Sequence, residues 1–268
     1  MNHSRSRVAG AILGATLALA GCSGGGASDH PVQQTEPTVS TPPDETPAPT
    51  PVSDDFATAV KFTKLTHQSR YKEASGLVVP ESPAARYLAH QTLMRKAQQI
   101  AGYNQSGDEE PSLKPDPTTG TIKIRYEDQS EGETKYTWRD FTFEQGKITG
   151  WTGASGPVKD VLWSRESKDS ALGATAELAS AYRTNAGNMD VVVEWCAKRD
   201  IDLSYEPSYS AKGGYRQHAS DFNADELADG EKTLAYYTFD DAKFGGKLRL
   251  KIASASGYST ANLELAIK

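Results

Sequence analysis

No aromatic residue occurs before Phe56, and no lysine or arginine lies between positions 23 and 53. A stretch of that kind cannot bury enough apolar surface to offset the entropy of ordering, so it is excluded from any packed core. Cysteine is almost absent: Cys22 and Cys196 are the two in 268 residues. That rules out a fold stapled by several disulfides, and the folded part must be held by its own core, which a chain of this length can supply. Positive charge is in the minority, with 29 Lys+Arg against 35 Asp+Glu and a net charge of −6. The chain as a whole therefore has no electrostatic reason to seek nucleic acid or an anionic lipid surface. No run is apolar over the roughly 20 residues that a membrane-spanning helix needs. Gly-x-Ser-x-Gly, Ser-x-x-Lys, a phosphate loop and His-Glu-x-x-His are all missing. Their absence lowers the expectation of an enzyme without abolishing it.

What is present begins with a secretory layout. Arg5 and Arg7 precede an uncharged, mostly apolar run over residues 8–20, which ends in Leu19-Ala20-Gly21-Cys22. Such a run fits the apolar region of a signal peptide and is too short to span a bilayer. The four residues resemble the lipobox of bacterial lipoproteins. The resemblance covers only the first 22 residues. It implies that the Cys22 sulfur takes a diacylglyceryl group, that the chain is cut between Gly21 and Cys22, and that the new amino terminus is open to acylation. Two or three acyl chains hold a protein stably where one does not, at about 0.8 kcal/mol per buried CH₂. The alternative is a plain secretory signal with a chance cysteine. On the lipobox reading, loss of residues 1–21 from the 268 leaves 247. Arg5 and Arg7 leave with the leader, so the charge moves from −6 to −8. Cys196 is then without a disulfide partner in its own chain. The implied location is the extracytoplasmic face of the cell membrane, with attachment through the acyl chains of Cys22.

Residues 22–53 read as the lipid anchor and a disordered stalk. Seven of the fourteen prolines fall here, with many Ser and Thr and the run Gly24-Gly25-Gly26. Residues 31–51 favour extended polyproline-like conformations at about 3 Å per residue, and the fully extended stalk would reach on the order of 60–90 Å. The Thr and Ser among the prolines are candidates for O-glycosylation. No PxxP pair is flanked by lysine or arginine, so the stalk reads as a tether and not as a docking peptide.

Helical periodicity follows. Phe56, Val60, Thr63, His67, Tyr71 and Ala74 fall on one face, with Asp54 or Asp55 as cap and Gly76 as stop. Pro83 opens a second helix running to Ala101, with Tyr87, Gln91, Met94 and Ala101 inward. Residues 104–119 read as a polar loop. Residues 121–127 and 134–143 alternate as strands, and the switch of aromatic parity from Tyr136 and Trp138 to Phe141 and Phe143 predicts a bulge near Arg139-Asp140. Gln145-Gly146 is a two-residue hairpin turn that pairs Glu144 with Lys147, Phe143 with Ile148 and Phe141 with Gly150. Trp151 and residues 158–163 extend or cover the sheet. Residues 166–172 read as a hinge. Strands are then expected at 175–183, 189–197, 200–205, 232–239, 247–253 and 260–267, with turns at 185–188 and 244–246.

The fold class is therefore α+β: helices plus a curved antiparallel sheet, followed by an all-β sandwich. The element order over residues 54–165 resembles the nuclear-transport-factor-2-like (NTF2-like) cone, and residues 173–268 resemble an immunoglobulin-like sandwich. The expected role is non-enzymatic binding or scaffolding in the cell envelope, with a protein, glycan or lipid partner and no nucleic acid. One alternative is capture of a small apolar ligand or lipid between the helices and the Trp138–Trp151 sheet. Another is an unrecognised enzyme, since some members of the NTF2-like superfamily use His and Asp inside the cone.

Candidate residues follow from these readings. His67, His90 and Asp140 would carry acid–base work if brought within hydrogen-bond reach, although a half-buried packing role is commoner for a helix-face histidine such as His67. Cys196 ends a strand with no ligand-bearing neighbours and reads as a small packed residue. Asp108-Glu109-Glu110 and the acidic run 221–231 invite calcium, but the second lacks glycine at its sixth place, where Glu226 stands, and reads as a solvated loop. Tyr205, Tyr209, Tyr215, Tyr236, Tyr237 and Tyr258 fit either a binding surface or ordinary sheet packing. No metal or cofactor is expected.

Overall fold

The computed structural model describes residues 53–103, 111–128, 132–164 and 167–268. The expected signal peptide, the Leu19-Ala20-Gly21-Cys22 motif, nearly all of the stalk and Asp108-Glu109-Glu110 lie outside the described residues. All the described residues fall in one compact unit.

Ser53, rather than Asp54 or Asp55, caps the first helix, α1 (Asp54–His67): its Oγ accepts the Phe56 N–H at 3.2 Å. The two aspartates instead place negative charge in the first turn, where the helix dipole favours it. The helix ends at His67, because Ser69 adopts a left-handed φ of 55°. A short helix, α2 (Tyr71–Ala74), and a 3₁₀ turn follow. The buried stripe of α1 runs through Phe56, Ala59, Phe62, Thr63, Leu65 and Thr66. The third helix, α3 (Pro83–Ile100), starts at a Ser82 cap with Pro83 in its first turn, and buries Ala84, Tyr87, Leu88, His90, Met94 and Ala97. Gln91 is only partly buried and Ala101 is exposed, contrary to the face expected from spacing.

Five strands make a first antiparallel meander: β1 (Ser112–Asp116), β2 (Thr121–Asp128), β3 (Gly132–Glu144), β4 (Lys147–Gly153) and β5 (Gly156–Pro157). The strand β1 lies where a polar loop was expected, and Pro115 is tolerated because β1 is an edge. The bulge falls where the parity switch predicted it: the β3–β4 register shifts between Arg139 and Thr142, and Asp140 has a φ of 53°. Gln145 and Gly146 both take positive φ in the hairpin turn, as a two-residue primed turn requires. Glu144 pairs with Lys147 and Phe143 with Ile148, but Gly150 pairs with Thr142 rather than Phe141, because a second shift follows the bulge.

A second antiparallel sheet is ordered β13-β15-β9-β8-β6, with β7 also on β8. Its strands are β6 (Leu162–Ser164), β7 (Lys168–Ala171), β8 (Ala174–Arg183), β9 (Met189–Ala197), β13 (Asp221–Phe222) and β15 (Lys232–Phe239). Within the expected hinge at 166–172, Lys168–Ala171 is thus a strand. Leu162 and Trp163 pair with β8 and not with the first sheet. The third sheet is ordered β12-β11-β16-β10-β14, with β17 on the other edge of β16. It comprises β10 (Ile201–Asp202), β11 (Ser208–Ala211), β12 (Arg216–His218), β14 (Glu226–Leu227), β16 (Gly246–Ser254) and β17 (Thr260–Ile267). The second and third sheets share one core, which includes Leu178, Val191, Val193, Trp195, Tyr237, Leu248, Leu250, Leu263 and Leu265. Where β11, β16 and β17 converge, a Cβ on Gly246 would come within 2.2 Å of the Ser210 carbonyl, so only glycine fits.

Two contacts tie these layers together. The middle of β9, Val191-Val192-Val193, is buried on both faces: Val191 and Val193 belong to the shared core, and Val192 meets Met94 and Ala97 of α3. Ser167, just before β7, and Asp169 of β7 reach the outer edge of β17, where Ser167 Oγ accepts the Ala266 N–H at 2.7 Å and Asp169 Oδ2 accepts the Glu264 N–H at 2.8 Å.

Candidate functional site

The space between α1, α3 and the first sheet is occupied by rings. Trp138 and Trp151 lie 4.7 Å apart, centroid to centroid. Phe62 and Tyr87 approach Trp151 at 5.2 and 5.0 Å, and all four side chains are buried. Grooves occur at the margins instead. One, of about 320 Å³, runs between α1 and β1 past Val60, His67 and Leu113. Another, of about 440 Å³, separates α2 from α3.

The histidines do not meet Asp140. His67 Nδ1 is hydrogen-bonded to the Tyr126 hydroxyl, and its ring lies 5.0 Å from Trp138. Burial lowers its pKa to about 4, so it is neutral at ordinary pH. His90 Nδ1 pairs with Ser180 Oγ at 2.8 Å, and burial lowers its pKa further, to about 3. Asp140 is exposed on the bulge, 3.6 Å from Arg139. The acid–base constellation considered from sequence is therefore not assembled.

The His90–Ser180 pair follows from a local irregularity. The β8–β9 register shifts between Leu178 and Ser180. Before the shift Ala174, Ala176 and Leu178 face the shared core; after it Ala181 does, and Ser180 and Tyr182 turn toward α3. A polar seam results. Tyr182, Asp190, Thr238 and Asp221 stand in one row across β8, β9, β15 and β13. Thr238 Oγ1 donates to Asp190 at 2.9 Å, and the Tyr236 hydroxyl donates to Asp221 at 3.0 Å. Burial pushes the Asp190 carboxyl up to about 6, opposed by the Thr238 hydrogen bond and helped by the nearby Asp221 charge. His90 and Ser180 are both buried, so the seam offers no open nucleophile.

Other candidates separate. Cys196 is a free thiol, half-buried on the β9 face that carries Glu194 rather than packed in the core. The acidic run 221–231 divides between two sheets, with Asp221 in β13 and Glu226 in β14, so its carboxylates do not converge. No group of three potential metal ligands occurs among the described residues. Of the six tyrosines, Tyr209, Tyr236 and Tyr237 are core residues, and Tyr205 lies under Lys251 Nζ at 4.4 Å. Tyr215 and Tyr258 are 98% and 94% exposed but sit beyond opposite ends of β16, roughly 25 Å or more apart, so they form no common surface. No described helix is long and apolar enough to cross a membrane.

One surface escaped the sequence reading. The face of the first sheet opposite the helices exposes Lys114, Lys123, Arg125, Lys135 and Arg139. The signal was there in the alternation of Lys123 and Arg125 with the buried Ile122 and Ile124. No family model matches the chain, and comparison with curated proteins and with solved structures gives no match either.

Proposed function

We propose that the chain is a lipid-anchored, extracytoplasmic lipoprotein that binds or scaffolds in the cell envelope without catalysing a reaction. Acyl chains on Cys22 hold it at the membrane, and residues 23–53 carry the folded part away from the bilayer. Residues 54–165 are read as an NTF2-like cone and residues 173–268 as an immunoglobulin-like sandwich. The observation that carries the non-catalytic reading is the ring-filled interior, where Trp138, Trp151, Phe62 and Tyr87 occupy the place a captured ligand would take. The separation of Asp140 from both histidines weighs against the enzyme in the same way.

Detergent phase partitioning of the wild type and Cys22→Ala, expressed in a bacterial host, tests the anchor. The wild type is expected in the detergent phase and the variant in the aqueous phase. Wild type in the aqueous phase would overturn the lipoprotein reading.

A further inference from the structure

The rings packed between the helices and the first sheet end in a hydrogen bond. Trp151 meets Trp138 at 4.7 Å, Trp138 meets His67 at 5.0 Å, and His67 Nδ1 is hydrogen-bonded to the Tyr126 hydroxyl. Tyr126 in turn meets Tyr136 at 6.2 Å, and both are half-buried, so the row runs from the dry core to the margin of the sheet. Two nitrogens along it are buried without a partner: Trp138 Nε1 and His67 Nε2.

No other described tyrosine has this setting. Tyr87 lies 5.0 Å from Trp151, but no proton acceptor for its hydroxyl occurs among the described residues. Tyr237 accepts the Trp195 indole N–H instead of donating to a base. Tyr236 has a carboxylate acceptor in Asp221, but its ring neighbour is Tyr103 and not a tryptophan.

The geometry points to Tyr126 as a redox-active tyrosine, a one-electron relay that draws oxidising equivalents out of the tryptophan core. The oxidant is an oxygen-centred radical of the peroxyl class, which takes one electron from Trp138 or Trp151 and leaves as the hydroperoxide. Trp138 has no acceptor for its indole proton, so the oxidised ring keeps that proton and remains a strong oxidant. Tyr126 then supplies an electron to it, and the phenolic O–H bond breaks as the proton passes to His67 Nδ1. The products are the neutral indole, a neutral phenoxyl radical and an imidazolium. Breaking the O–H bond in the same step avoids a cationic phenol in apolar surroundings. Nε2 leads to no further acceptor. The proton therefore returns to the oxygen when a small thiol at the sheet margin returns the electron and is itself oxidised to a thiyl radical. The chemistry is the same whether or not Cys22 is acylated.

The test uses the full chain with Cys22→Ser. A laser flash at the long-wavelength edge, where tryptophan absorbs and tyrosine does not, forms tryptophan radicals inside the protein. Transient absorption follows their decay, and electron paramagnetic resonance of frozen samples identifies the product. The wild type is expected to show a tyrosyl radical rising as the tryptophan radical decays, more slowly in heavy water than in light water. Tyr126→Phe is expected to lose that phase, and Tyr237→Phe to keep it. In His67→Phe, which has no base, the rise is expected to slow by about 100-fold or more. Circular dichroism checks that each variant is folded, and the isotope effect on the wild type needs no variant. The proposal fails if the wild type forms no tyrosyl radical, or forms it at the same rate in heavy water. It also fails if the phase survives in Tyr126→Phe or keeps its wild-type rate in His67→Phe.

Discussion

Asn223 Nδ2 donates to the Ala97 carbonyl of α3 at 3.0 Å, while its Oδ1 accepts the Tyr236 N–H of β15 at 2.6 Å. One amide thus fastens the helix to the second sheet, beside the apolar contacts of Met94 and Ala97 with Ala179, Val192, Leu234 and Tyr236. Asn223→Ala leaves a carbonyl and an N–H without these partners. A loss of about 1–3 kcal/mol is expected, read as a lower urea midpoint with unchanged slope. A midpoint equal to that of the wild type would show that the clamp contributes nothing.

Asp190 gives a pH dependence of definite sign. Its folded pKa of about 6 lies above its ordinary value of 3.8. The folded state therefore holds the proton more tightly than the unfolded chain. The resulting stabilisation is fully present below 3.8 and is lost as pH rises through 6. Asp190→Asn keeps the acceptor for Thr238 and removes the charge. The variant should be more stable than the wild type at pH 7, by about 2 kcal/mol, and the advantage should shrink toward pH 4. Equal differences at both pH values would contradict the assignment.

His90 acts in the opposite direction. Its folded pKa of about 3 lies below the usual 6.5, so its contribution is present above 6.5 and is lost as pH falls toward 3. His67, lowered to about 4, adds to the same acid limb. Unfolding midpoints of His90→Gln and wild type, measured from pH 7 to pH 4, should converge as pH falls. Parallel curves would remove His90 from the acid response.

The legible parts of this fold were the long strands. The strands β9, β15 and β17 were bounded correctly because each is a run of eight or nine residues rich in apolar and β-branched side chains, closed at its ends by polar or glycine-containing segments. The strands β11 to β14 were missed, since two to four residues among Gly, Ser and Asp carry no period. The strand β1 was masked by Pro115, which an edge tolerates. The position of α3 was not readable from its own apolar face, which is interrupted by His90 and Gln91. The clue lay elsewhere, in the unbroken run Val191-Val192-Val193: three consecutive buried residues in a strand require cover on both sides. The candidate chemistry was misjudged for a related reason. His67 and His90 were placed on helices correctly, but their partners Tyr126 and Ser180 are distant in sequence, and the β8 bulge that turns Ser180 toward His90 left no trace in the pattern.

The edge of β17 supplies a further prediction. Ser167 and Asp169 occupy the N–H groups of Ala266 and Glu264 that would otherwise be open to another strand. Replacing both by alanine should cost about 1 kcal/mol per lost hydrogen bond and speed amide exchange at Glu264 and Ala266. Sedimentation velocity at rising concentration is expected to show self-association in the double variant. Amide exchange unchanged at both positions would mean that the edge is protected by other means.

The rings packed on the first sheet have an optical consequence. Two of the four tryptophans, Trp138 and Trp151, lie close enough for their indole transitions to couple, giving the folded chain a near-ultraviolet circular dichroism signature of its own. Trp138 stands on the opposite side of β3 from Lys135 and Arg139. Unfolding of the first sheet should erase this signature, so that a single spectrum reports whether that sheet is intact.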